Sequence, residues 1–143
     1  MKRVAFVVLA VSIMLALPGI IAAKDVKTYM DQGVANLENG KFDQALQDFN
    51  EALKLKPNDA ALYDYRGVAY RVKGLDEQAM QDFNRAIELD PKYARAYRNR
   101  AMVYFDKSDY DKSVADQEKA QSLGYKVDPD FLKLTKRKAA EKR

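Results

Sequence analysis

The sequence predicts an all-α fold, a solenoid of three helix-turn-helix units closed by a C-terminal capping helix, and three observations carry that prediction. First, residues return at a 34-residue period: Tyr29, Tyr63 and Tyr97; Gly33, Gly67 and Ala101; Ala45, Ala79 and Ser113; Ala52, Ala86 and Ala120. A period of that size marks stacked supersecondary units. Second, each period divides into two stretches of helical periodicity around a turn. Third, Asp128-Pro129 follows the last period as an N-cap and a first-turn proline, opening one more helix.

Taken in order, residues 1–23 read as a signal peptide. Lys2 and Arg3 precede an apolar run from Val4 to Leu17, relieved only by Ser12, and Pro18-Gly19 then breaks it. Cleavage is expected after Ala23, although Ile21 departs from the small-x-small pattern. The alternative is an uncleaved anchor in the inner membrane, facing the periplasm, since residues 4–23 approach the length that spans a bilayer. A periplasmic or secreted location follows from the first reading.

The unit at residues 60–93 shows the logic of the repeat most clearly. Leu62, Tyr63, Gly67 and Tyr70 fall at helical spacing and end at Lys73-Gly74, where glycine closes a helix. Ala79, Met80, Phe83, Ala86 and Ile87 form one apolar stripe that runs to Asp90-Pro91. Small residues are expected where the helices cross, with aromatics filling the space they leave. One such hairpin cannot offset an ordering cost of about 1–2 kcal/mol per residue, so the units must stack.

Composition excludes much. The 143 residues contain neither cysteine nor histidine, which removes thiol chemistry, disulfides, the common zinc sites and the usual general base near neutral pH. No catalytic or metal-binding residue and no cofactor is expected. The net charge of +4 is concentrated at the ends: residues 24–129 hold 17 basic and 19 acidic side chains. Overall charge is therefore a poor argument for nucleic acid. Asp106, Asp109 and Asp111 read as a solvated turn, because they lack the glycine and closing glutamate of a calcium loop.

The Y-x-x-R-G-x-x-Y of Tyr63 to Tyr70, the A-x-x-x-F of Ala79 to Phe83, and Pro91 resemble the tetratricopeptide repeat. The resemblance covers residues 26–59, 60–93 and 94–127. It implies a right-handed superhelix whose concave face, lined by the first helix of each unit, receives a protein or peptide without catalysis. Carried onto this chain, the groove positions are Lys27, Met30, Asp31 and Val34, then Asp64, Tyr65, Val68 and Arg71, then Arg95, Arg98, Asn99, Met102 and Phe105. Tyr65, Arg71, Arg95, Arg98, Asn99, Met102 and Phe105 are the expected binding residues, a basic and partly apolar strip suited to a partner with carboxylates and apolar anchors.

Departures from the pattern carry their own expectations. The carboxylate clamp of cytosolic co-chaperones would fall on Met30, Val34, Tyr65, Arg95 and Asn99, of which only Arg95 is basic, so a heat-shock co-chaperone is not expected. The third unit has Ala101, Ser113 and Gln117 in place of glycine, alanine and an aromatic, and its second helix should pack less well. Tyr125 stands in it where Pro57 and Pro91 stand earlier. The final helix, with Phe131, Leu132, Leu134 and Thr135 before a basic run, is expected to cover the end of the third unit.

Overall fold

The computed structural model describes residues 24–142, so the segment read as a signal or anchor lies outside the described residues. Seven α-helices, with no strand among the described residues, follow one another: α1 Val26–Glu38, α2 Phe42–Leu55, α3 Ala60–Val72, α4 Asp76–Leu89, α5 Ala94–Asp106, α6 Tyr110–Ser122 and α7 Pro129–Glu141. No described helix is long and apolar enough to cross a membrane. α1, α3 and α5 each pack on the following helix to form a hairpin, the hairpins stack, and α7 lies against α6.

Local chemistry sets the helix ends. Asp25 caps α1 by accepting from the Thr28 amide at 2.7 Å, and Asp59 caps α3 by accepting from Ala61 and Leu62. Asp128 accepts from the Asp130 amide at 2.9 Å with Pro129 in the first turn, as the sequence predicts. Leu75, one place ahead of the aromatics Phe42 and Tyr110, occupies the N-cap position of α4. The turn after α1, α3 and α5 needs a left-handed residue: Gly40 and Gly74 supply it at φ 71° and 74°, and Ser108 holds φ 60° at the same register.

Packing within each hairpin turns on a missing methyl group. A Cβ placed on Gly33 would lie 2.5 Å from the Phe49 ring, and one on Gly67 would lie 2.6 Å from the Phe83 ring. Both rings are fully buried, each contributing about 1.5–3 kcal/mol. The third unit keeps the volume by exchanging both partners, with Ala101 facing a hairpin in which Gln117 replaces the phenylalanine. Where the ring is absent, the methyl returns.

The expectation that α6 packs poorly needs correction, because polar bonding replaces the apolar contact. Ser113 Oγ is buried and donates to the Ala101 carbonyl at 2.7 Å. Gln117, 1% exposed, donates from Nε2 to Ser113 Oγ at 3.2 Å and to Thr135 Oγ1 of α7 at 3.1 Å. α6 is therefore joined to the capping helix through hydrogen bonds rather than through a ring.

A second device ties the units together. Arg66 grips Asp82 with Nε and Nη2, both at 2.7 Å, and reaches back to Asn50 of the preceding unit with Nη1 at 2.7 Å. One period later Arg100 holds Asp116 and Asn84 in the same way. Tyr63 and Tyr70 flank the first guanidinium, and Tyr97 and Tyr104 flank the second, at 5.4–5.8 Å. These arginine–tyrosine sets are therefore internal fastenings. At the end of the array Glu118 occupies the register of Asn50 and Asn84, and Lys136 of α7 meets it at 2.7 Å.

The methyl argument fixes the sign of two exchanges. Gly67→Ala should lose about 1–3 kcal/mol in a urea unfolding titration through overpacking against Phe83. Ala101→Gly, the reverse change at the same register, should also destabilise, by about 1 kcal/mol, because no ring waits to use the space. A stabilised Gly67→Ala protein would show that the ring has room to move.

Candidate functional site on the inner helices

The predicted groove residues do not form one uniform strip. Asp64 on α3 is 0% exposed, and the site is organised around its carboxylate. Arg95 of α5 donates from Nε to Asp64 Oδ2 at 2.5 Å, and Asn99 donates from Nδ2 to Asp64 Oδ1 at 2.8 Å. Asn99 in turn accepts from Arg98 Nη1 at 3.0 Å. The Arg95 guanidinium lies 3.9 Å from the centre of the Tyr65 ring, which itself stacks on Phe49 at 5.8 Å.

This arrangement changes what the arginines offer. Arg95 is the counter-ion of a buried carboxylate, so it is already occupied. Burial opposes its charge, but the Asp64 carboxylate together with the Tyr65 and Tyr93 phenols moves Arg95 upward. Burial pushes the Asp64 carboxyl up, against the pull of Arg95 and Asn99. Tyr93, just before α5, is raised to about 12, first by burial and then by the charge of Asp64.

Arg98 differs from its neighbour. Among the described residues its one hydrogen bond goes to Asn99, and it forms no salt bridge. Together with Met102 of α5, Gln117 of α6, Tyr125 and Lys126 of the following loop, and Phe131 of α7, it lines a cavity of about 300 Å³. That is the lower end of ligand-pocket size and suits one or two side chains of a larger partner.

The two remaining candidates lie elsewhere. Arg71, at the end of α3, makes a long contact of 3.4 Å to Asp106, and its buried Nε has no partner. Phe105 packs on Phe131 at 5.0 Å and on Tyr110 at 5.3 Å, so it seats the capping helix rather than presenting a free anchor. In the first unit Lys27 is paired with Asp31 on its own helix. The structure thus brings together Tyr65, Arg95, Arg98, Asn99 and Met102 and leaves Arg71 and Phe105 outside that cluster.

Sequence reasoning placed Asp64 on the groove face but missed its part as the central anion. It also missed Gln117, Tyr125 and Phe131 as cavity walls. A signal was present: Gln117 and Tyr125 are positions where the third unit breaks the repeat's own pattern.

The fold and the inner-face geometry can be set beside known proteins. Two family models, each described as tetratricopeptide repeat, match residues 30–94 and 83–115 and together cover more than half the chain. The chain belongs to the tetratricopeptide repeat family, whose folds are scaffolds for protein–protein interaction. Among solved structures it is similar to the Sgt2 TPR domain from Aspergillus fumigatus, with 27% identity over 81% of this chain and 80% of that one and a TM-score of 0.76. The first TPR domain of Spaghetti (RPAP3), bound to the HSP90 peptide SRMEEVD, shares the fold at 21% identity, with 81% and 94% coverage and a TM-score of 0.76. The TPR2B domain of yeast Sti1, in a pHsp70 complex, shares it at 23% identity, with 82% and 98% coverage and a TM-score of 0.72. No curated protein sequence matches the chain.

The Asp64 charge has a spectroscopic reporter. Absorbance titration of the chain against a Tyr93→Phe reference should show one phenol ionising near 12, and Asp64→Asn should lower it toward 10 without reaching it, because burial remains. A raised phenol is stabilising below the unfolded value and loses that contribution as pH rises through the folded one. An unmoved Tyr93 in Asp64→Asn would place the carboxylate's charge elsewhere.

Proposed function

We propose that this chain is a non-catalytic adaptor that acts outside the cytoplasm and takes a protein or peptide partner on the inner face formed by α1, α3 and α5. The observation that carries the reading is Arg98: its guanidinium is positioned by Asn99 and Asp64 and borders a partly apolar cavity. A positioned arginine beside Met102 and Phe131 suits a segment that carries a carboxylate next to an apolar side chain. The HSP90 peptide bound by one protein of the same fold and the pHsp70 complex of another support a protein or peptide partner. Action outside the cytoplasm is supported by the charged and then apolar order of residues 2–17 followed by Pro18-Gly19.

A second reading keeps residues 1–23 as an anchor, so that the repeats recruit the partner to a bilayer. Fractionation with N-terminal sequencing separates the two. A soluble exported chain beginning at Lys24 supports the adaptor, and a membrane-bound chain beginning near Met1 supports the anchored factor.

Placing a photo-crosslinking residue at position 102 should capture the partner from the intact cell envelope, whereas the same residue at Arg85 on the outer helix should not. Arg98→Glu should weaken recovery at least tenfold with an unchanged helical circular-dichroism signal, and rising salt should weaken it further because exposed charges are screened over about 8 Å. Arg95→Glu is the wrong test, since it sets a second carboxylate against Asp64. Equal recovery by Arg98→Glu would move the site off this face.

A further inference from the structure

The arginine clasp that ties the units is complete at two registers and half kept at a third. Arg66 holds Asp82 and Arg100 holds Asp116, and the two acids are 5% and 7% exposed. One period earlier the acid persists as Asp48, but Gln32 stands in the arginine's place and Asn36 in that of Tyr70 and Tyr104. Among the described residues Asp48 accepts one hydrogen bond, from Asn36 Nδ2 to Oδ2 at 2.7 Å, whereas in the complete clasps both carboxylate oxygens receive the guanidinium. The first unit thus keeps the anion without its cation, an arrangement that costs stability where the group is partly buried.

The edge that carries Asp48 is the one a preceding unit would cover. Asp48 is half-buried and Ala35 is exposed, whereas Ala69 and Val103, at the register of Ala35, are 0% exposed and pack with residues of α2 and α4. Tyr29 keeps the ring that Tyr63 and Tyr97 set beside a guanidinium. A cation is already drawn to it: Lys24 Nζ lies 5.3 Å from its centre, against 5.4 Å for Arg66 and Tyr63. That ammonium donates to Gln32 Oε1 at 2.8 Å rather than to the carboxylate. We propose that the edge formed by α1 and α2 docks a partner protein by taking one of its arginines onto Asp48 beside the Tyr29 ring, as Arg66 and Arg100 are taken within the fold. A lysine is a poor substitute, because the clasp is bidentate and an ammonium is a point charge. This surface differs from the inner face in place and in sign: it selects a guanidinium, where Arg98 selects a carboxylate.

The probe is N-acetylarginine amide, with N-acetyllysine amide as its comparison. Each is titrated into the nitrogen-15-labelled full chain and read on the side-chain amide signals of Asn36 and Gln32. The arginine amide should shift both signals to saturation and bind at least fivefold more tightly than the lysine amide. Gln32→Arg supplies the guanidinium from within, so it should melt at the same or a higher temperature and bind the probe at least tenfold more weakly. Asp48→Asn should lose binding to the same extent with an unchanged helical circular-dichroism signal. Arg98→Glu should bind the probe as the wild type does, which separates this surface from the inner face. An edge built only to meet water would give shifts that do not saturate and are equal for the two amides, and that result overturns the site. Unchanged binding in Gln32→Arg overturns it as well, as does a Gln32→Arg protein that melts lower, because the first unit would then lack the clasp geometry. Sedimentation velocity decides whose arginine enters: self-association abolished by Gln32→Arg would keep the site and replace the partner protein with a second copy of this chain.

Discussion

The contact between a glycine on one helix and a phenylalanine ring on the next is the constraint from which the rest of this structure follows. Gly33 lets Phe49 lie flat against α1, and the buried ring carries Tyr65 stacked upon it. Tyr65 is the platform for Arg95, Arg95 neutralises the buried Asp64, and Asp64 fixes the amide of Asn99 that receives Arg98. A missing methyl group in the first unit is thus linked, through five side chains, to the orientation of a guanidinium in the third. Packing and the orientation of Arg98 are parts of one contact path here.

The same register explains why a cavity opens at the far end. Two units repeat the glycine and phenylalanine pair, and two arginine clasps repeat the ties between neighbours. The third unit keeps a clasp through Arg100 but departs from the pair, with Ala101 and Gln117 in its place, and it has Tyr125 in place of a proline. Those departures would weaken a solenoid that ended there. With α7 docked by Thr135, Phe131 and Lys136, they become a polar seam and the wall of a cavity.

Much of this was legible in the residues. The period, the two stretches per unit, the Asp128-Pro129 start and the glycine turn at Gly74 all rest on local spacing, and spacing survives in a sequence. What spacing does not carry is pairing between units. Arg95 looked like an exposed cation because its partner, Asp64, lies one helix and 31 residues away. Phe105 looked like a ligand anchor because nothing local shows that Phe131 comes to meet it. Arg66 and Arg100 could be seen to recur, yet their clasp needs Asp82 and Asp116, each 16 residues on, and Asn50 and Asn84, each 16 residues back. The polar substitutions in α6 looked like weakness because their partners lie partly on the final helix.

The path from ring packing to the Arg95 and Arg98 guanidinium groups predicts an effect at a distance that needs no partner to measure. In nitrogen-15 NMR the Arg95 Hε, bonded to a buried carboxylate, should exchange slowly with water in the native chain. Gly33→Ala, which pushes Phe49 and therefore Tyr65, should speed that exchange at least tenfold under conditions where the chain remains folded. An Arg95 Hε signal unchanged in position and exchange rate, in a Gly33→Ala protein that is nonetheless destabilised, would contradict the account by showing that the rings hold the fold without setting the site.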